Sequence, residues 1–150
     1  MKTPIALLAL ALSAGFALAH GGVELGPNGG RILEFSKNET LHGEVILAAD
    51  KFQVALLDKD QKPTALPTAT LTATSGTGAK PTKLAVEKTP TGFAFPAVAA
   101  GQTVVLQFRD SATGKPVTAR FKFDPSNCES CNHPEWLCQC AAAEAPKKAK

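Results

Sequence analysis

The sequence predicts an all-β domain, an antiparallel β-sandwich of immunoglobulin-like type with about seven or eight strands and a short Cys-rich C-terminal extension. Between residues 30 and 123, short apolar runs alternate with turn residues at a spacing of roughly 8–12 residues. Apolar and polar residues alternate with a period of two inside these runs, and none of them has a strong helical period. Hydrophobic residues form 44% of the 150-residue chain, which is a globular composition.

The first 19 residues have the pattern of a signal peptide. Lys2 precedes an apolar run over 5–12, and Ala-Leu-Ala at 17–19 forms a small-x-small cleavage signal. The apolar run is too short for a stable membrane span, so we expect none in the mature chain. Export would place the protein in the bacterial periplasm or outside the cell, which are oxidising compartments. His20 then begins the mature protein, and 20–29 is its expected flexible N-terminus.

The β-sandwich domain is assigned to residues 30–124, and alternation justifies each strand. At the end of this range, four apolar residues alternate with Thr118, Arg120 and Lys122, which indicates one buried face. Because the pattern closes at Phe123, we expect this body to fold without the residues that follow. The predicted strands cover 31–35, 41–47, 52–56, 69–74, 84–86, 93–95, 103–109 and 117–123.

The segment 125–140 contains the strongest chemical signal, and 141–150 is an expected disordered basic tail. Four cysteines and a histidine follow the spacing C-x2-C-x-H-x4-C-x-C. Thiolates and an imidazole that lie this close in the chain can surround Zn²⁺ or Cu⁺. Two disulfides are the alternative, because the expected compartment is oxidising and four cysteines allow three pairings. The candidate ligands are Cys128, Cys131, His133, Cys138 and Cys140.

Three further residues are candidate metal ligands. A mature N-terminus at His20 would offer an amine and an imidazole to one copper or zinc ion. His42 and Glu44 are two residues apart on a predicted strand, so both should point to the face opposite the core, toward solvent. A frayed terminus and a solvated polar face are the respective alternatives.

Composition excludes several classes of function. Residues 20–140 contain 12 Lys and Arg against 12 Asp and Glu, and aromatic residues are only 6% of the chain. A neutral body with few aromatics argues against nucleic-acid binding. The sequence has three histidines and none of the common nucleotide-binding, hydrolase or metalloprotease motifs. We therefore expect a protein that is not an enzyme.

The segments His20-Gly-Gly, 26–34 (Gly-Pro-Asn-Gly-Gly-Arg-Ile-Leu-Glu), 42–45 (His-Gly-Glu-Val) and 52–58 together resemble a known family. They are similar to the N-terminal β-sandwich region of periplasmic adaptor proteins of heavy-metal efflux systems, and to small secreted proteins that share the P-x-G-G-R segment. The resemblance implies a metal-related periplasmic role, with a metal-efflux component as a partner. Asn28 stands where the adaptors have His, which removes one ligand from this segment.

Together these observations predict a secreted, non-enzymatic protein that binds copper or zinc in periplasmic metal handling. The alternative is a disulfide-stapled β-sandwich that acts as a protein-interaction module without metal.

Overall fold

A computed structural model describes residues 23–78 and 80–140 of the chain, and there it forms two antiparallel sheets that pack face to face. This confirms the predicted antiparallel β-sandwich. The signal peptide, His20 and the tail 141–150 lie outside the described residues. No helix in the described part is long and apolar enough to cross a membrane.

The described chain contains nine strands. In chain order they are β1 (Arg31–Glu34), β2 (Leu41–Ala48), β3 (Lys51–Asp58), β4 (Thr70–Gly76), β5 (Thr82–Leu84), β6 (Glu87–Thr89), β7 (Gly92–Pro96), β8 (Thr103–Arg109) and β9 (Val117–Lys122). The five-stranded sheet has the order β1-β2-β3-β7-β6, and the four-stranded sheet has the order β5-β4-β8-β9.

The structure has one strand more than the eight predicted, because two separate strands occupy the region where a single strand was predicted. The run around Leu84 and Val86 was expected to be a single short strand. Instead, β5 pairs with β4 in one sheet and β6 pairs with β7 in the other, so the chain crosses between the sheets at residues 85–86. Alternation reports which face a residue lies on, but it does not report a change of sheet.

The core between the sheets is rich in phenylalanine. Phe52 lies at its centre with no exposed surface, and its ring centroid lies 5.4 Å from those of Phe95 and Phe121. Phe35 stacks on Phe108 at 4.6 Å with nearly parallel rings. These pairs bury large apolar areas and favour one arrangement of the core over others.

The sequence predicted that the core of the domain ends at Phe123, but the core extends beyond that residue. Trp136 belongs to the same core, with only 4% of its surface exposed. Its ring centroid lies 5.7 Å from Phe52, 5.8 Å from Phe121 and 5.7 Å from Phe123. The Cys-rich segment therefore contributes the Trp136 ring to the core, while the prediction that the body folds without this segment stays a prediction.

Residues 24–30 fold over the outer face of the five-stranded sheet. A turn closes with a hydrogen bond from the amide of Gly26 to the carbonyl of Gly30 (2.8 Å), and Leu25 forms an isolated bridge with Arg31. A Cβ at Gly30 would lie 2.6 Å from the carbonyl oxygen of Val45, so only glycine permits this approach. The part of the expected flexible terminus that the structure describes thus has a defined packing role.

Candidate metal centre

The Cys-rich segment is built as a tight hairpin that continues from β9. Its two arms are joined by backbone hydrogen bonds, from Trp136 to Asp124 (3.1 Å), from Glu135 to Ser126 (2.8 Å) and from Cys128 to the carbonyl of His133 (2.8 Å). A 3₁₀ turn over Glu135–Leu137 then directs the chain back toward the tip. This path brings the second pair of cysteines next to the first.

The tip of the hairpin depends on Asn132. Its amide donates to the carbonyl of Cys128 (2.9 Å), and its φ is +58°. Asparagine is one of the few residues other than glycine that adopt this left-handed conformation at low cost. The sharp turn curls the chain around the sulfur atoms of Cys128 and Cys131.

The side chains of Cys128, Cys131, Cys138 and Cys140 converge at this tip. Their four sulfur atoms all lie within 4.8 Å of one another. The Sγ of Cys138 lies 3.3 Å from that of Cys128 and 3.6 Å from that of Cys131. All four cysteines are free, and no disulfide joins them. No second group of this kind with three or more His, Cys, Asp or Glu residues occurs in the described ranges.

The four sulfurs fit a tetrahedral metal ion. A Zn–S bond of about 2.3 Å in a regular tetrahedron places the sulfurs about 3.8 Å apart. The separations of 3.3 Å and 3.6 Å are slightly shorter than that value, and every other pair of sulfurs lies within 4.8 Å. Cys128 is buried and the other three cysteines are half-buried, so an ion could reach the site from solvent.

The thiols perturb one another's proton affinity. The backbone amide of His133 donates to the sulfur of Cys131, and this lowers the pKa of that thiol. The hydrogen bond between Cys138 and Cys128 raises the pKa of Cys138 to about 12, and a hydrogen bond with Cys131 raises that of Cys140. Four adjacent sulfurs cannot all be deprotonated without a cation to offset their charge. A metal ion would therefore have to displace these protons, and its affinity would fall as the pH is lowered.

His133 is not brought into this group. Its side chain is exposed, and its ring is not among the ligand atoms that lie within 4.8 Å of one another. The residue contributes its backbone instead, because its carbonyl accepts from Cys128 and its amide donates to Cys131. The spacing that marked His133 as a ligand reflects its place in the turn.

The prediction that His42 and Glu44 face solvent together is wrong. They do lie opposite the core, but they are only 8% and 0% exposed. Residues 24–30 cover Glu44, whose carboxylate accepts from the amide of Gly30 (2.9 Å) and from the amide and side chain of Asn28 (both 2.8 Å). His42 contacts Glu34 through Nε2 at 3.1 Å, and its Nδ1 lies 3.1 Å from the carbonyl oxygen of Asp58. Because these partners occupy the polar atoms of both residues, the structure does not make a metal site of the pair.

Arg31 was missed by the sequence analysis. Its Nη1 donates to the carbonyl oxygen of Trp136 at 3.0 Å, and burial lowers the pKa of its guanidinium. This hydrogen bond holds the 3₁₀ turn, which directly precedes Cys138, against β1. A signal was present in the sequence, since Arg31 directly precedes the apolar pair Ile32 and Leu33 and a charge beside buried residues commonly has a specific partner.

No protein-family model, curated protein or solved structure matches this chain.

Proposed function

We propose that this protein binds one transition-metal ion, Zn²⁺ or Cu⁺, through Cys128, Cys131, Cys138 and Cys140, and that it serves metal handling in the bacterial periplasm without acting as an enzyme. The observation that carries the proposal is the convergence of four free sulfur atoms within 4.8 Å. Soft thiolates select Zn²⁺ and Cu⁺ over hard cations, and a tetrahedral set of four sulfurs is typical of zinc.

The way the site is built supports reversible binding as well as a structural contribution. Three of the four cysteines are half-buried near the protein surface, and the site has no other protein ligand in the described residues. At the same time Trp136 anchors the segment in the core. An ion bound here would be exchangeable from solvent while its ligands are held by a rigid sandwich.

The periplasmic part of the proposal rests on the sequence. The signal-peptide pattern over residues 1–19 supports export, and the resemblance of residues 26–34 to metal-efflux adaptors supports a metal-efflux component as partner. In an oxidising compartment a bound ion would also protect the thiols, because metal-bound thiolates are not available for disulfide formation.

A titration of the reduced protein tests the proposal. We expect one Zn²⁺ or Cu⁺ to bind per chain and to change the fluorescence of Trp136, the only tryptophan, which lies between the two cysteine pairs. Replacement of both Cys131 and Cys138 by Ser should abolish binding, because it leaves two thiolates.

The His133→Ala variant is the matched control, since it removes the other candidate ligand in the segment while the backbone contacts persist. Binding by this variant at the wild-type stoichiometry supports the all-cysteine site. Binding that is lost in His133→Ala, or retained in the double serine variant, would contradict it.

A further inference from the structure

The neutral charge of the body conceals a separation of charge between the four-stranded sheet and the rest of the domain. The four-stranded sheet with its connecting turns (70–84 and 103–122) contains six Lys and Arg against one Asp. The remainder of residues 20–140 contains six basic and eleven acidic residues. A field of one sign over one face attracts ligands of the opposite sign even when the whole domain is neutral.

The outer face of this sheet, opposite the core, carries the positive charge. Lys83, Arg109, Arg120 and Lys122 lie on it and are exposed, whereas none of its strands contains an acidic residue. None of these four takes part in the ion pairs found in the described residues. Arg109 donates to the carbonyl of Gly114, and the charges of Lys83, Arg120 and Lys122 are available to pair with a ligand.

Strand register fixes where these charges stand. Lys83 pairs with Thr74, Thr74 with Val105, and Val105 with Arg120, so Lys83 and Arg120 end one row across all four strands. Three strand spacings place their backbones about 14 Å apart. Lys122 lies two residues beyond Arg120 on the edge strand, about 7 Å away.

The middle of the face carries uncharged polar side chains, mainly threonines. Thr70, Thr72 and Thr74 alternate along β4, and the next row pairs Thr72 with Gln107 and Gln107 with Thr118. No aromatic side chain lies on this face in the described strands, so there is no platform on which nucleobases or neutral sugars would stack. Val105 is its one branched aliphatic residue, and that is too little to insert into a bilayer.

We propose that this face, the outer surface of β5-β4-β8-β9, binds an acidic polysaccharide whose sugars carry carboxylate groups. The cations at the two edges pair with carboxylates, and the threonine and glutamine groups between them hydrogen-bond to sugar hydroxyls. The rows of side chains across the four strands give an extended polymer several points of contact. The proposal is independent of metal binding, because the face contains none of the cysteines.

Alginate, a polyuronate, is the probe, and neutral dextran is its uncharged counterpart. The wild-type protein should bind alginate and not dextran, with affinity that falls as salt rises. The double variant Arg120→Gln/Lys122→Gln should bind alginate about tenfold more weakly, since it loses two exposed ion pairs. Lys83→Gln, on the opposite edge strand, should also weaken alginate binding, which tests the other edge of the face independently.

The control is Lys59→Gln/Lys62→Gln, which also removes two positive charges, but from an exposed turn after β3. Unchanged alginate binding by this control, with an unaltered thermal melt in all variants, supports the assigned face. Equal losses in both double variants would overturn it by showing an effect of net charge alone. Tighter binding to phosphatidylglycerol vesicles or to duplex DNA than to alginate would also overturn it.

Discussion

Arg31 and Trp136 are 105 residues apart in the sequence, and a hydrogen bond of 3.0 Å joins the guanidinium Nη1 of the first to the carbonyl oxygen of the second. The bond connects β1, at one edge of the five-stranded sheet, with the turn that leads to Cys138. The same Trp136 places its ring against Phe52 in the core. The candidate metal centre is thus fixed to the sandwich by both a polar and an apolar contact.

Replacement of Arg31 by Met should lower the free energy of unfolding by about 2 kcal/mol, because it removes a charge-assisted hydrogen bond from a partly buried carbonyl. Urea unfolding followed by Trp136 fluorescence measures the change. Arg109→Met is the matched control, since Arg109 also donates to a backbone carbonyl, that of Gly114, at an exposed position. Equal effects of the two substitutions would contradict a special role for Arg31.

Removal of the Trp136 ring should destabilise the whole sandwich. We expect Trp136→Ala to cost about 3–5 kcal/mol, as for other large aromatic residues lost from a core. A chain that ends at Asp124 should lose a similar amount, because it lacks the same ring. Thermal melts followed by circular dichroism test both, with Trp136→Phe as the milder control. A truncated chain that melts at the wild-type temperature would show that the ring is not part of the folding core.

Glu44 should be a major determinant of how residues 24–30 pack. Glu44→Gln replaces the charged acceptor of three N–H donors by a neutral amide, which weakens these hydrogen bonds in a buried site, at a cost of about 3 kcal/mol. Urea denaturation gives the value. Glu87→Gln, which removes only the exposed ion pair with Lys51, should cost less than about 1 kcal/mol. A small effect at Glu44 would mean that the turn over it contributes little.

Metal binding should stabilise the fold, because the ligands belong to the segment that completes the core. When free ion exceeds its dissociation constant about 1,000-fold, the free energy of unfolding should rise by about 4 kcal/mol. Chelator should reverse the gain. The double serine variant of Cys131 and Cys138 should melt at the same temperature with and without metal, and a metal-dependent melt in that variant would contradict the assigned ligands.

The fold class was predictable from the sequence because side-chain direction in a strand has a period of two. The alternation of Val104, Leu106 and Phe108 with polar residues identified their buried face correctly. Two features depended on distant contacts and were not predictable in this way. The turn over Glu44 buries a charge that alternation assigned to solvent, and Trp136 enters the core from outside the strand pattern.

The sequence predicted that cysteines form the candidate site, but it did not predict that His133 is left out of it. The density of cysteines in 128–140 indicated a thiol site, since local spacing limits which sulfurs can meet. Local spacing could not show that His133 uses its backbone, because that follows from the left-handed turn at Asn132. Nor could it choose between metal and disulfides, which depends on the relative positions of the four sulfurs.

The metal content of the native protein decides whether the four cysteines bind an ion. The protein should be prepared from its native cells without chelator or metal-affinity resin, and its metal and thiols should be counted together. We expect one zinc or copper ion per chain and four cysteines that react with alkylating reagent only after the ion is removed. Metal-free protein with its four cysteines paired in disulfides would show instead that the segment does not bind metal.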